Sequence, residues 1–192
     1  MSRYLDFEKQ FIFYGQHHAN RVNIVSHVVG IPLLMWSGFA LTVKLGPLFH
    51  LDFLGPQPVP VHLPWFAVLA YMSFYMLLEP VAAIFYSPVL LCTAYYSLRF
   101  SNALPNYFQW ALFLHLGCWG LQLFTHRFFE KQPLNLRDNL IHVLLFSPFF
   151  VFLEILFALG YRPALQSRMQ IAVGKAVYAE QKKKNMTNGK RQ

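Results

Sequence analysis

Long uncharged stretches are the main feature of this chain. Four of them cover residues 28–43, 53–78, 80–98 and 100–126, and a shorter one covers residues 139–153. A helix that spans a bilayer needs roughly 20 mostly apolar residues. A single run of this kind fits the core helix of a soluble protein. Several runs in 192 residues predict a membrane protein that crosses the bilayer repeatedly.

The N-terminal residues 3–16 are predicted to form an amphipathic helix, because aromatic side chains recur along one face. This stripe is expected to lie on the membrane surface or against the helical bundle. The segment has no long apolar centre and no small-residue cleavage site, so it does not read as a signal peptide. The aromatic positions are Tyr4, Phe7, Phe11 and Tyr14.

Prolines and polar clusters separate the remaining elements. Membrane helices are predicted over residues 23–45, 107–129 and 139–159, and the proline-rich residues 46–64 are predicted to be a loop. Residues 65–98 form either one long helix or two short ones. The two possible break points are Glu79-Pro80 and Ser87-Pro88.

The predicted fold is all-α, a polytopic transmembrane helical bundle of about four or five membrane helices with the N-terminal amphipathic helix beside it. This domain is assigned to residues 1–165. Composition agrees, since 12% of the residues are charged whereas soluble domains carry roughly 25%. Cys92 and Cys118 both fall inside apolar runs and are expected to be free thiols.

The positive charge is concentrated at the C-terminus. The net charge is +8, and residues 161–192 hold eight Lys or Arg against one acid, Glu180. We predict a basic, disordered cytoplasmic tail over residues 166–192 that contacts anionic membrane lipid. The rest of the chain has no basic face, which excludes nucleic acid as a partner. The sequence does not identify a protein partner.

A first group of histidines lies around the start of the first predicted membrane helix. Asn23 and His27 are four residues apart and share one helix face. His18 meets them only if the chain turns between residue 18 and residue 23, and the polar residues there allow such a turn. Without a metal, the same residues form an interfacial histidine pair with a capping asparagine. The group consists of His17, His18, Asn23 and His27.

A second group lies on the helix predicted over residues 107–129. Ionisable groups in a membrane helix face the bundle interior, because exposure to lipid is costly. His126 and Glu130 are placed to bind one metal ion together, or Glu130 orients the imidazole. The alternative is an interhelical hydrogen-bond network without metal, and His142 is a further candidate ligand. The stripe consists of His115, Trp119, Gln122, His126 and Glu130.

Two motifs built from these residues resemble those of the Mpo1-like family, over roughly residues 4–165. The first motif is a His, an Asn five residues later, a second His, and then Gly-x-Pro. The second motif has a Gln four residues before a His, followed by Phe-Glu-Lys and Asp-Asn-Leu. The matching residues are His18, Asn23, His27, Gly30 and Pro32, then Gln122, His126, Phe129, Glu130, Lys131, Asp138, Asn139 and Leu140.

The chain departs from the family pattern at three places. A usual proline is absent from residues 19–22, Thr125 replaces a glycine, and Pro133 comes one residue early. These changes concern loop geometry, so they bear on the fit of the substrate more than on metal binding.

The resemblance implies a multi-pass endoplasmic-reticulum membrane enzyme, an Fe(II)-dependent dioxygenase. In this family 2-hydroxy fatty acids from phytosphingosine degradation react with O₂ and lose one carbon, which is α-oxidation. The alternative is a non-catalytic lipid-binding or scaffolding membrane protein. A third, weaker reading is a proton-coupled transporter with a relay through His115 and His126.

The resemblance also suggests residue roles. His18, His27 and His126 are expected to bind Fe²⁺, with Glu130 as a fourth ligand or an orienting group. Glu130 and Lys131 are the expected catalytic residues. Further possible ligands are His17, His115 and His142, and the expected substrate-binding residues are Asn23, Gln122, Arg127 and Lys131.

Overall fold

The computed structural model describes residues 5–18, 20–52, 57–130 and 142–189. Within this part the chain is mainly helical, with one small antiparallel hairpin. The helices are α1 Phe7–Gln16, α2 Arg21–Thr42, α3 Leu63–Leu78, α4 Pro80–Ala103, α5 Tyr107–Thr125, α6 Ser147–Ala158 and α7 Pro163–Gly189. The shorter elements are a 3₁₀ turn at Val43–Leu45, strands β1 Pro47–Leu51 and β2 Val59–His62, and π-helical turns at His126–Glu130 and His142–Phe146.

Helices α2 and α5 form an antiparallel pair that runs the length of the bundle. At one end His27 lies 3.2 Å from His126, nitrogen to nitrogen. In the middle Ser37 Oγ lies 3.0 Å from His115 Nδ1. At the other end the Lys44 ammonium lies 4.2 Å from the centre of the Phe108 ring. The regular steps between these contacts fix the register of the two helices.

Small residues on α2 allow this close pairing. Ser26, Gly30, Ser37 and Gly38 recur on the face that meets α5. At Gly30 an added Cβ would lie only 3.1 Å from Gln122 Nε2. Small residues at such intervals are typical of membrane helix pairs, because they let two backbones approach.

The chain between α3 and α4 breaks at Glu79-Pro80, the first of the two predicted break points. Glu79 has an extended backbone, and its carboxylate caps α4 by accepting a hydrogen bond from the Ala82 N–H at 2.6 Å. The same carboxylate accepts from Tyr161 Oη at 3.1 Å and from Arg162 Nη1 at 2.9 Å. Glu79 therefore ties the α3–α4 junction to the start of α7. Pro88, the other candidate, lies inside α4.

An aromatic cluster holds α6 against α3. The rings of Tyr75 and Phe149 stack with centroids 4.5 Å apart. The hydroxyls of Tyr71 and Tyr75 donate to the carbonyls of Leu144 and Leu145, both at 2.9 Å. These carbonyls belong to the π-helical turn before α6, so α3 provides partners for an irregular backbone segment.

The loop prediction for residues 46–64 needs correction, because β1 and β2 pair there as a hairpin. The predicted all-α class is confirmed in that the described chain is mostly helical, and this hairpin is an addition to it. Pro60 lies opposite His50 in the pairing. A two-stranded hairpin has only edge strands, and an edge strand tolerates proline because the missing N–H faces outward.

The predicted disordered tail, residues 166–192, also differs from the structure, since α7 continues to Gly189. Its first half has an apolar stripe that packs on α1. Leu165 and Met169 are buried, and Val173 lies against Gly15 so closely that an added Cβ there would meet it at 2.6 Å. This packing explains a helix that composition alone did not indicate. Residues 190–192 lie outside the described part.

Several other boundaries shifted. The amphipathic helix begins at Phe7 and packs on the bundle with Phe11 and Tyr14 buried. The helix predicted over residues 107–129 changes at His126 into a π-helical turn. The helix predicted over residues 139–159 begins as a π-helical turn at His142, and residues 139–141 are outside the described chain.

In the part of the chain that the structure describes, two helices are long and apolar enough to cross a membrane, Arg21–Leu45 and Pro80–Ala103. Leu63–Leu78 and His142–Ala158 are apolar but shorter. Helix α5 is not in either group among the described residues, because its glutamines, histidine, tryptophans and tyrosine lower its mean hydropathy. The fold thus contains two possible membrane spans, and the larger number stays a prediction.

The α2–α5 contact predicts different outcomes for two glycine substitutions. Gly38→Ala adds a Cβ at 3.6 Å from His115 Cε1, an ordinary contact, and should raise stability by up to about 1 kcal/mol through helix propensity. Gly30→Ala has to displace the buried Gln122 amide, so we expect it to lose that gain and to be the less stable variant by about 1 kcal/mol. Thermal unfolding of both purified variants in one detergent measures the difference. Equal stabilisation would contradict the tight approach at Gly30.

Candidate metal centre

Three histidines from three different segments meet at one end of the α2–α5 pair. His18 lies in the short connection after α1, His27 in the second turn of α2, and His126 at the first residue after α5. One ring nitrogen from each lies within 4.8 Å of the others. His27 and His126 are only 3% and 4% exposed. We call these residues the histidine triad.

The three imidazole rings are mutually perpendicular. Their centroids are 4.5, 4.9 and 4.9 Å apart, with interplanar angles of 82°, 78° and 83°. Stacked rings would direct their nitrogens past each other. Edge-on rings instead bring one nitrogen of each ring towards a common point, which is the arrangement that a metal ion needs.

Backbone carbonyls fix which nitrogens face that point. His18 Nδ1 lies 2.9 Å from the carbonyl of Tyr14, and His27 Nδ1 lies 2.9 Å from the carbonyl of Asn23. A carbonyl only accepts, so both Nδ1 atoms carry the proton and both Nε2 atoms have free lone pairs. Metal-binding histidines in proteins are usually oriented in this way by their other ring nitrogen.

The free Nε2 atoms have no good partner of their own. His18 Nε2 is buried without a hydrogen bond to any described residue. His27 Nε2 faces His126 Nε2 at 3.2 Å, so their lone pairs repel unless a proton or a cation lies between them. Burial, and then the neighbouring His27, lower the pKa of His18 well below its ordinary value and keep that ring neutral. Neutral imidazoles with converging lone pairs fit a transition-metal ion.

Glu130 lies beside the triad and is hydrogen-bonded to the chain before α2. Its Oε1 accepts from the backbone N–H of Asn20 at 2.8 Å and from Asn23 Nδ2 at 3.2 Å. Glu130 is not part of the ligand cluster that the described residues form. Its hydrogen bonds go to the chain before α2, and the two roles predicted for it, metal ligand and orienting group, stay predictions. The π-helical turn at His126–Glu130 directs His126 inward and Glu130 towards α2.

The predicted substrate-binding residues are placed differently from one another. Asn23 is fully buried and holds Glu130 and the carbonyl of His17. Gln122 is 4% exposed, one turn before His126, and its Nε2 lacks a hydrogen-bond partner in the described part of the chain. Arg127 is exposed. Lys131, predicted as a catalytic and a substrate residue, lies outside the described residues, as do Asp138, Asn139 and Leu140.

The other histidines stand apart from the triad. His17 Nδ1 bonds to the carbonyl of Phe13, and the His142 ring stacks on Phe146 and packs against Phe13. His115 Nε2 accepts from Trp119 Nε1 at 3.2 Å, which occupies its lone pair. His50 and His62 lie on the hairpin.

Sequence reasoning missed two features of the site. The Tyr14 ring stacks on His18 with centroids 4.1 Å apart, one helical turn away. The spacing of four residues was visible in the sequence, but the stacking depends on where α1 ends. A cavity of about 550 Å³ also lies between α2, α3, α5 and the segment before α6. It begins at Ile31, one turn from His27, and its walls are almost entirely apolar.

Comparisons with known proteins agree with the motif pattern. The model of the family described as "Mpo1-like: 2-hydroxy-palmitic acid dioxygenase Mpo1-like" matches residues 4–159. The chain is 29% identical over 175 residues to the protein named "2-hydroxy-palmitic acid dioxygenase MPO1" from Saccharomyces cerevisiae. The match covers 86% of this chain and 88% of the yeast protein. No solved structure matches significantly.

The triad geometry predicts that each of its members is needed to bind metal. Purified protein should contain about one transition-metal ion per chain, and His18→Ala, His27→Ala and His126→Ala should each lose most of it. His50→Ala, on the exposed hairpin, is the control and should keep the metal. Elemental analysis by mass spectrometry measures the content. Full metal retention in the His27→Ala variant would exclude this site.

A pair of substitutions at Glu130 distinguishes a ligand from an orienting residue. Glu130→Gln keeps a side-chain oxygen that accepts from Asn20 N–H and Asn23 Nδ2, so we expect metal content close to that of the unaltered protein. Glu130→Ala removes both hydrogen bonds and should lower metal affinity about 10- to 100-fold, as loss of an outer-shell partner does. If Glu130→Gln loses metal as severely as Glu130→Ala, the carboxylate is a ligand instead.

Proposed function

This chain belongs to the Mpo1-like family, and we propose that it is an Fe(II)-dependent dioxygenase that shortens 2-hydroxy fatty acids by one carbon. The observation that carries the proposal is the histidine triad, with its converging Nε2 atoms and backbone-fixed Nδ1 atoms. The printed name of the yeast relative, a 2-hydroxy-palmitic acid dioxygenase, supports the substrate class and the use of O₂.

The reaction needs a redox-active metal, and the resemblance to the Mpo1-like family implies that this metal is iron. Imidazole ligands suit zinc, copper, iron and nickel alike, but zinc has no redox chemistry. Bound Fe²⁺ would supply the means of activating O₂ while open coordination positions remain for the substrate. The residues that would hold the ion are His18, His27 and His126.

The overall reaction balances with O₂ as the single oxidant. A 2-hydroxy acid R–CH(OH)–COOH and O₂ give R–COOH, CO₂ and H₂O. The bond between the carboxyl carbon and the hydroxyl-bearing carbon breaks, the carbons lose four electrons, and O₂ takes up four. No organic co-substrate or external reductant is required.

Side chains near the triad are proposed to hold the polar end of the substrate. Gln122 is the best placed, because its Nε2 is a buried donor one turn from His126 that no described residue uses. It is proposed to donate a hydrogen bond to the carboxylate or the 2-hydroxyl. Lys131 and Arg127 are proposed to pair with the carboxylate charge. Asn23 and Glu130 keep the turn before α2 in position, so that His18 can reach the ion.

A membrane location, specifically the endoplasmic reticulum with a multi-pass topology, is part of the proposal. Its support is an inverted distribution of side chains, in which polar residues face the α2–α5 contact and large apolar ones face outward. Val25 on α2 is 62% exposed and Phe113 on α5 is 74% exposed. Exposed apolar surface on this scale marks a membrane or protein contact.

A second candidate function is lipid binding without catalysis, with the histidines serving only as hydrogen-bonding groups. The apolar cavity of about 550 Å³ favours it, because such a cavity holds an acyl chain whether or not chemistry follows. Turnover separates the two functions directly.

The decisive assay uses the intact protein reconstituted anaerobically with Fe²⁺ and then exposed to O₂ and 2-hydroxypalmitate. We expect a product one carbon shorter, identified by its chain length in mass spectrometry. His126→Ala should abolish iron binding and turnover together, since it removes one of three ligands. His50→Ala should keep both. Full activity in a purified His126→Ala variant would refute the ligand assignment.

The role of Gln122 has its own test. Gln122→Met keeps a similar side-chain size and removes the donor. Loss of one hydrogen bond to a charged group costs about 1.5–3 kcal/mol, so kcat/KM for the 2-hydroxy acid should fall about 10- to 100-fold while iron content stays unchanged. An unaltered kcat/KM would show that Gln122 does not contact the substrate.

A further inference from the structure

The cavity between α2, α3 and α5 lies along the same two helices that carry His27 and His126, and no residue of the histidine triad lines it. On α2 its lining begins at Ile31, four residues after His27, and ends at Thr42. Eleven residues of α-helix span about 16 Å. On α5 the cavity reaches Trp119 and His115, two and three turns before His126. The cavity therefore leads away from the metal centre in one direction.

On α5, the polar groups that line the cavity belong to Trp119 and His115. Their hydrogen bonds are already made within the protein. Trp119 Nε1 donates to His115 Nε2 at 3.2 Å, so His115 carries its proton on Nδ1. That Nδ1 donates to Ser37 Oγ at 3.0 Å, and the Ser37 hydroxyl donates to the Leu34 carbonyl at 3.2 Å. Each donor in this chain has an acceptor, so the wall requires no polar partner from a ligand.

Helix α3 lines the opposite side, with Phe66 and Ala70 exposed, and gives the cavity a direction. The hairpin pairs Pro47 with His62, which places Leu63, the first residue of α3, beside the end of α2. The cavity-lining residues Ala67 and Ala70 follow one and two turns later, and Tyr71 lies nearest the segment before α6. Ala67 is thus farther from the triad than Ala70.

We propose that this cavity holds the alkyl chain of the substrate, with its polar end at the triad, and that Ala67 and Ala70 set the chain length. The proposal rests on the proposed function for the polar end. A volume of about 550 Å³ falls within the roughly 300–1,000 Å³ of ligand pockets. Small side chains at Ala67 and Ala70 leave the central part open, and the methyl end lies towards Leu63 and Thr42.

Filling the cavity at defined depths tests the proposal. Ala67→Phe should lower kcat/KM for 2-hydroxypalmitate and spare shorter 2-hydroxy acids, by about fourfold for each methylene excluded. Ala70→Phe, nearer the triad, should extend the loss to shorter chains. Leu69→Phe adds a ring on the same helix at a position that is 61% exposed and outside the cavity. This control should keep the chain-length profile of the unaltered protein.

A general folding defect would lower activity at every chain length. It would not give Ala67→Phe and Ala70→Phe different limits on the length of the substrate. If Ala67→Phe and Ala70→Phe reduce activity equally at every chain length, or if Leu69→Phe changes the profile as they do, the assignment of the cavity is wrong. Metal content measured in the same samples reports whether each variant keeps the triad.

A labelling experiment on the unaltered protein does not depend on turnover. A 2-hydroxyhexadecanoic acid with a diazirine at its methyl end should label Leu63, Phe66 or Thr42 after irradiation, as mapped by peptide mass spectrometry. Labelling confined to outward-facing residues such as Leu69 would overturn the cavity assignment. Absence of turnover together with labelling of Leu63 and Phe66 would refute the proposed function and leave the acyl-chain site intact.

Discussion

The antiparallel contact between α2 and α5 is the constraint on which the other features depend. Small residues on α2 let the helices approach, and Gly30 is the tightest point, where the Gln122 amide fills the space that a side chain would need. With this register fixed, His27 meets His126 at one end and Ser37 meets His115 in the middle. A shift of one turn would separate both pairs by about 5.4 Å. Metal centre and cavity wall are therefore consequences of the same helix contact.

Three converging imidazoles, of which His27 and His126 are buried and His18 is half-buried, are unfavourable without a bound cation, because their facing nitrogens have lost water. The fold keeps them together through groups that act at a distance from the centre. The carbonyls of Tyr14 and Asn23 orient two rings, and Glu130 binds the backbone of Asn20, so that the turn before α2 cannot straighten. Favourable contacts outside the triad therefore offset the unfavourable approach of its ring nitrogens. Such local costs are expected at functional sites.

Features that depend on local spacing could be predicted from the sequence, whereas features that depend on contacts between distant segments could not. Helical periodicity alone predicted one polar stripe with His115, Gln122 and His126. The cost of exposing ionisable groups to lipid predicted that this stripe faces the bundle interior. The break at Glu79-Pro80 was one of two possibilities, and the choice depended on Arg162 and Tyr161, which lie more than 80 positions later. Likewise, Glu130 was placed beside the metal by its spacing from His126. Its actual partner, the Asn20 N–H, is a contact across 110 positions that no local pattern reveals.

The hairpin and α7 show the same limit. Prolines in residues 46–64 predicted a segment without a helix, and this is confirmed for residues 46–52 and 57–62, whereas α3 already begins at Leu63. The pairing between β1 and β2 depends on contacts between two separate segments, which no local pattern reveals. In α7 the basic composition suggested disorder, whereas Leu165 and Met169 pack on α1 and give the helix a partner. Arg168 in addition pairs with Glu8. Because α1 ends at Gln16, two residues before His18 of the triad, the packing of α7 on α1 supports one of the three proposed metal-binding positions. The C-terminal helix thus contributes to the site without contacting it.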